Sequence, residues 1–101
     1  MNESGLREDV AAFGELLTGL GLVHGATGNI SVRLPDNAGF LITPTDACLG
    51  FLQPDQLAHV NPQGEQVAGE RASKTLTLHR RIYAADPAAH CVLHTHSTHL
   101  V

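Results

Sequence analysis

Near the end of the 101-residue chain, His90-Cys91-Val92-Leu93-His94-Thr95-His96-Ser97-Thr98-His99 gathers the residue types best suited to chemistry. Side chains alternate faces along a β-strand, so His94 and His96, two apart, project together. The apolar run Cys91-Val92-Leu93 reads as a buried strand that would present both imidazoles rigidly from its end. Two neutral imidazoles on one face are half of a metal site, because catalytic Zn²⁺ commonly takes three protein ligands and keeps a position for water or substrate. Histidines crowded into a solvated loop would share the composition, but not the shared strand face. No third ligand stands beside the pair, since His99 follows three residues after His96, past the strand. Cys91 alternates away from His94 and His96 and is assigned to the core.

Three further stretches are built for anions. His24 to Arg33 sets Gly25, Thr27, Gly28, Asn29 and Ser31 in a turn that opens a strand over Ile30 to Leu34. Glycines let backbone approach a ligand, and N–H groups with small polar side chains can hold an anion. An ordinary loop has the same composition. Thr43-Pro44-Thr45-Asp46-Ala47-Cys48-Leu49-Gly50 is a second polar loop at a strand end, either further anion contacts or a turn. Ser73-Lys74 opens a helix whose N-terminus could bind an anion, or Ser73 simply caps it and Lys74 is solvated. His79 lies on or near the apolar face of that helix. A core histidine with satisfied hydrogen bonds is the plainer reading there, a ligand the sharper one.

These groups need elements to position them. Val10, Phe13, Leu16, Leu17 and Leu20 recur at helical spacing and predict a helix over Gly5 to Val23, capped by Ser4 and ended near Gly19 and Gly21. Pro35 to Gly39 is a turn joining the first strand to Phe40-Leu41-Ile42-Thr43 as a hairpin. Gln56 to Asn61 reads as a short strand, with Glu65 to Ala68 pairing back as an edge strand. Ala72 to Tyr83 reads as a second helix with Leu76, Leu78, His79, Ile82 and Tyr83 at helical spacing, stopped by Asp86-Pro87. Ser97 to Val101 opens like a further helix inside an apolar run, which predicts an N-terminal part of a larger domain.

Composition narrows the classes. The chain is 43% hydrophobic with no Trp, three Phe and one Tyr, so a core of Leu, Val, Ile and Ala is expected. A net charge of −4 without a basic patch argues against nucleic acid as a partner. No run approaches the roughly 18–20 apolar residues of a membrane span, and no charged-then-apolar signal opens the chain. The cytoplasm is the default, with Cys48 and Cys91 as free thiols.

Taken in order, the motifs resemble the class II aldolase/adducin family, which contains fuculose-phosphate aldolase and ribulose-phosphate 4-epimerase. The likeness rests on Gly28-Asn29-Ile30-Ser31, Thr43-Pro44-Thr45, Ser73-Lys74 with His79 downstream, and His94-Thr95-His96. Each is weak alone; jointly they are specific and span nearly the whole chain. Thr45 to Gly50 with Ser73-Lys74 looks most like the branch that decarboxylates 3-oxo-tetronate 4-phosphates.

The resemblance implies an α/β fold, a three-layer α/β/α domain around a mainly antiparallel sheet, of which residues 1–101 are the N-terminal part. It implies a homo-oligomer, usually a tetramer, with the site at a subunit junction. His94 and His96 would be ligands of Zn²⁺ or another divalent metal, with a third His beyond Val101. Gly28, Asn29, Thr45, Asp46, Ser73 and Lys74 would surround the phosphate of a sugar or sugar-acid substrate. Two positions depart from the pattern: Thr75 stands where the aldolases carry a Glu that ligates metal or transfers protons, and Asp46 stands where Gly is common, its charge opposing a dianion. The implied activity is a metal-dependent carbon–carbon lyase, most readily decarboxylation through a zinc-stabilised enediolate, with this portion alone inactive. A sugar-phosphate aldolase of the fuculose type and a non-catalytic adducin-like interaction domain are the alternatives.

Overall fold

A computed structural model describes residues 2–21, 28–45, 47–73 and 76–95 of the chain. Its first element is the helix α1, Glu3–Gly19. Asn2, not Ser4, caps it: the Asn2 Oδ1 accepts the Gly5 N–H at 2.7 Å. Either residue type can cap. Leu6 joins the buried stripe, and the earlier start lets Arg7 Nε donate to Glu3 at 2.9 Å. That stripe is Leu6, Val10, Gly14 and Leu17, whereas Phe13, Leu16 and Leu20 are exposed. The rotation away from the expected face has a steric origin. A Cβ on Gly14 would lie 2.4 Å from the Leu49 carbonyl oxygen, so only glycine lets the turn Leu49–Phe51 seat against the helix.

Among the described residues the strands are β1, Gly28–Arg33, β2, Phe40–Ile42, β3, Ala58–Val60, β4, Gln66–Ala68, and β5, Cys91–Thr95. They form one five-stranded sheet in the order β4-β3-β2-β1-β5, with every pairing antiparallel. The β1–β2 hairpin turns through Asp36 and Asn37 at φ of 58° and 57°, residues that tolerate this region. Gly39 at φ 102° then returns the chain, and the Leu34 N–H donates to its carbonyl at 2.9 Å. The expected strand Gln56–Asn61 is shorter, because Pro54–Gln56 forms a 3-10 turn before it.

The second helix, α2, runs Leu76–Ala85, starting later than expected. Asp86 ends it, donating its N–H to the Ile82 carbonyl at 3.0 Å and accepting the Ala88 N–H at 3.0 Å. His79 and Tyr83, one turn apart, are its buried residues, while Leu78 is exposed.

Alternation along the strands divides the core into two. Ile30, Leu41 and Leu57 face α1, packing with Leu6, Val10, Leu17, Leu34, Leu49 and Leu52. Phe40, Ile42, Ala58 and Val60 face α2 and pack with Tyr83, Leu76 and Val92. The layers are therefore α1, sheet and α2, as an α/β/α arrangement requires. Expectation and structure part at β5. Among the described residues it pairs with β1 alone, and Cys91 is exposed rather than core, with Leu93 44% exposed. Cys48 and Cys91 are both free thiols.

Candidate active site

The β1–β5 register brings the distant motifs together. Asn29 is the partner of His94 and Ser31 the partner of Val92. Residues directly opposite in an antiparallel pair share a face, so Asn29, Ser31 and His94 all project toward α2. There His79 meets them. Its Nδ1 lies 2.6 Å from Ser31 Oγ, and its Nε2 makes a short contact with Asn29 Oδ1. Ser31 Oγ is also 2.7 Å from the Tyr83 hydroxyl, and Asn29 Nδ2 is 3.3 Å from His94 Nδ1. Asn29, Ser31, His79 and Tyr83 are buried, and among the described residues no buried side-chain polar atom lacks a partner.

Burial sets the charge state of this cluster. It lowers the His79 pKa from 6.5 to about 4, with His94 adding to the effect, so the ring is neutral at pH 7. Burial also raises the Tyr83 phenol from 10.0 to about 12, against a hydrogen bond from Ser31 that lowers it. His79 is thus a core histidine with both nitrogens bonded, the plainer of the two sequence readings.

The polar loops close on the same end of the sheet. The Thr43 N–H donates to the Ile30 carbonyl at 3.0 Å, and the Ile30 N–H donates to Thr43 Oγ1 at 3.2 Å. The Ser73 N–H donates to the Thr43 carbonyl at 3.1 Å, the Thr45 N–H donates to Arg71 at 2.8 Å, and Pro44 bridges Ala72. The Thr43–Thr45 loop is therefore zipped to the approach of α2 on one side and to the start of β1 on the other. The Ser73 carbonyl accepts the Leu76 N–H at 3.1 Å, placing Ser73 at the entry of the helix.

Of the residues singled out from sequence, Gly28, Asn29, Thr45, Ser73 and His94 are gathered at this end. Gly28 is the register partner of Thr95. Asp46, Lys74, Thr75 and His96 lie outside the described residues, as does the expected helix start Ser97–Val101. Among the described residues no group of three or more His, Cys, Asp or Glu gathers as a metal cage. His94 carries the ring-nitrogen donors of a metal ligand and stands at a strand end, with its Nδ1 3.3 Å from Asn29 Nδ2.

From sequence Ser31 reads as an anion contact and Tyr83 only as a helix-spacing residue; the structure pairs them with each other. The signal was present: Asn29 and Ser31 are two apart on a strand, and His79 and Tyr83 four apart on a helix.

Comparison with known proteins bears on this arrangement. The family model for the Class II Aldolase and Adducin N-terminal domain matches residues 8–101. A Cupriavidus necator protein named 3-oxo-tetronate 4-phosphate decarboxylase is 54% identical over 99 residues, covering 98% of this chain and 45% of that protein. The L-fuculose phosphate aldolase of Haemophilus influenzae is 32% identical over 99 residues, covering 98% of this chain and 45% of its own. The crystal structure of YgbL from Klebsiella pneumoniae superposes with a TM-score of 0.91 at 43% identity, covering 97% of this chain and 47% of that one. The chain spans a little under half the length of these relatives.

Proposed function

The chain belongs to the class II aldolase and adducin family, and from that premise we propose that the complete protein is a metal-dependent carbon–carbon lyase. Its substrate is a small sugar-acid phosphate, and its reaction the decarboxylation of a 3-oxo-tetronate 4-phosphate. One observation carries the reading: a strand-end histidine, His94, shares one end of the sheet with the loops carrying Gly28, Asn29, Thr45 and Ser73. The name of the relative at 54% identity supports the choice of substrate.

The chain's own residues divide the work. The backbone at Gly28 and Asn29 with Thr45, Ser73 and Lys74 holds the phosphate and so fixes the far end of the substrate, with Asp46 standing beside it. Lys74 supplies positive charge, and Asp46 tempers it. His94 and His96 would hold a divalent ion such as Zn²⁺, with a third histidine further along the complete protein. The ion, when bound, supplies Lewis-acid stabilisation of developing negative charge on the substrate oxygens. Breaking the bond to the carboxylate releases CO₂ and leaves its electron pair as an enediolate, which a proton donor then quenches. Because no carbon-bound proton has to be removed first, Thr75 in place of a Glu is tolerable for decarboxylation. An aldolase or epimerase makes heavier demands on acid–base groups.

The complete protein given a 3-oxo-tetronate 4-phosphate should release CO₂ faster than it cleaves a ketose 1-phosphate. Faster ketose cleavage would favour the aldolase reading, which the Haemophilus influenzae relative supports. A complete protein that binds no divalent ion would favour an adducin-like interaction domain. We place the protein in the cytoplasm as a homo-oligomer, a tetramer, and light scattering tests that assembly. No helix among the described residues is long and apolar enough to cross a membrane.

A further inference from the structure

The helix α1 is more apolar than its contact with the sheet requires. At about 100° per residue, Leu6, Val10, Phe13, Leu16, Leu17 and Leu20 fall on one continuous arc of about 120°. One half of the arc, Leu6, Val10 and Leu17, is buried against the sheet. The other half, Phe13, Leu16 and Leu20, is not: Leu16 is 55% and Leu20 63% exposed. The sheet carries a matching bare strip. Leu93 is the register partner of Ile30 and Cys91 of Val32, so both lie on the face that α1 covers at β1. Both are nonetheless exposed. Between them and α1 runs a groove of about 330 Å³, lined chiefly by Val10, Phe13, Ile30, Val32, Cys91 and Leu93, with Asp9 at its side. Val10 and Ile30 belong to the α1-facing core. The groove is therefore a side opening of that core, not a dimple on a finished surface.

Scattered apolar side chains are ordinary on a protein surface, whereas a contiguous patch marks a contact. We propose that the groove seats a helix from the part of the complete protein outside residues 1–101, packed beside α1 and over β5. Length supplies the occupant. The Cupriavidus necator relative matches 98% of this chain with 45% of its own length, so more than half of that relative lies outside the match. Layer geometry supplies its form. On this side of the sheet α1 packs on Leu41 of β2 and Ile30 of β1. A neighbouring helix lies about 8–10 Å from the first, and strands are about 4.8 Å apart. Two strand spacings from α1 bring such a helix over β5. An apolar stripe on the occupant would meet Phe13 and Leu16 at its side and Leu93 below. Filling the groove extends a core that already runs into it, which assigns the occupant to the same chain and not to a second copy. The proposal is independent of the metal and of the substrate.

The test uses the complete protein, with Cys91 as a reporter in the groove. A pulse of iodoacetamide, followed by mass spectrometry of the peptide that holds Cys91, gives its alkylation rate in the native protein and in urea. A seated helix should slow native alkylation by about 100-fold or more, because the thiol then reacts only through rare openings. Leu16→Asp should lower the urea midpoint by about 1 M, since it places a carboxylate against the occupant. On an open surface the same change would leave the midpoint nearly where it was. With Leu16→p-benzoyl-phenylalanine, irradiation should cross-link position 16 to a residue outside 1–101 of the same chain. Cys91 reacting at close to its unfolded rate would overturn the proposal, as would an unchanged midpoint in Leu16→Asp. A cross-linked product of twice the chain's mass would also overturn it, by placing a second copy in the groove. Should Leu16→Asp fail to fold, or no cross-link form, the alkylation rate of Cys91 in the wild-type protein decides alone.

Discussion

Replacing His79 by Gln should change how the stability of the protein depends on pH, and the size of the change follows from its burial. The His79 ring is fully buried, and its pKa is lowered from 6.5 to about 4. In the unfolded chain it takes up a proton as pH falls through 6.5; in the folded protein it resists until about 4. Between those values the unfolded state binds more protons, so stability rises with pH. The contribution is complete above pH 6.5, is lost progressively down to about pH 4, and is flat below. A gap of 6.5 − 4, or 2.5 units, corresponds to about 3 kcal/mol at 1.36 kcal/mol per unit, an upper bound. Urea denaturation of the metal-free complete protein at pH 7.5, 5.5 and 4.5, with chelator present throughout, would read it. Carboxylates also lose stability in acid, so the informative quantity is the difference between wild type and His79→Gln at each pH. That difference should shrink by about 2–3 kcal/mol between pH 7.5 and pH 4.5. Parallel stability curves for the two proteins would refute the reasoning, since a ring that stays neutral for lack of solvation cannot titrate invisibly.

Other expectations follow from packing and from the site. Leu41→Ala removes a fully buried side chain at the α1 face of the sheet and should cost about 2–5 kcal/mol in the same denaturation assay. Gly14→Ala gains about 1 kcal/mol of helix propensity, yet its Cβ would meet the Leu49 carbonyl at 2.4 Å. Overpacking of about 1–3 kcal/mol should win, and a raised melting temperature would contradict that packing. His94→Ala in the complete protein should lower zinc stoichiometry measured by elemental analysis and cost the metal-free protein about 1–3 kcal/mol of stability, because the buried Asn29 amide loses its partner.

Much of the fold was legible because alternation and turn chemistry are local. The β1–β2 hairpin, the edge strand β4 and the stop at Asp86-Pro87 all rest on residues within a few positions of one another. What stayed hidden needed long-range contacts. Gly14 carries no hydrophobic signal, yet the seating of the Leu49–Phe51 turn against it decides which stripe of α1 is buried. Cys91 alternates as expected away from His94, but its exposure depends on what packs over that face of β5, which spacing cannot reveal. At the site, Asn29 stood out as an anion contact, while the structure occupies both ends of its amide with histidines 65 and 50 positions away. The register between β1 and β5 brings Asn29 to His94, and α2 crossing the same face brings in His79. Reading polar alternation at Asn29 and Ser31 together with the helical spacing of His79 and Tyr83 would have pointed to this cluster, but not to which groups pair.

The central claim is that this end of the sheet serves a phosphate-anchored, metal-dependent decarboxylation. Its most direct measurement is release of CO₂ from a 3-oxo-tetronate 4-phosphate by the complete protein, before and after chelation and after return of Zn²⁺. The expected result is turnover that chelation abolishes and zinc restores, exceeding cleavage of a ketose 1-phosphate under the same conditions. Decarboxylation indifferent to chelator, or ketose cleavage faster than CO₂ release, would contradict it.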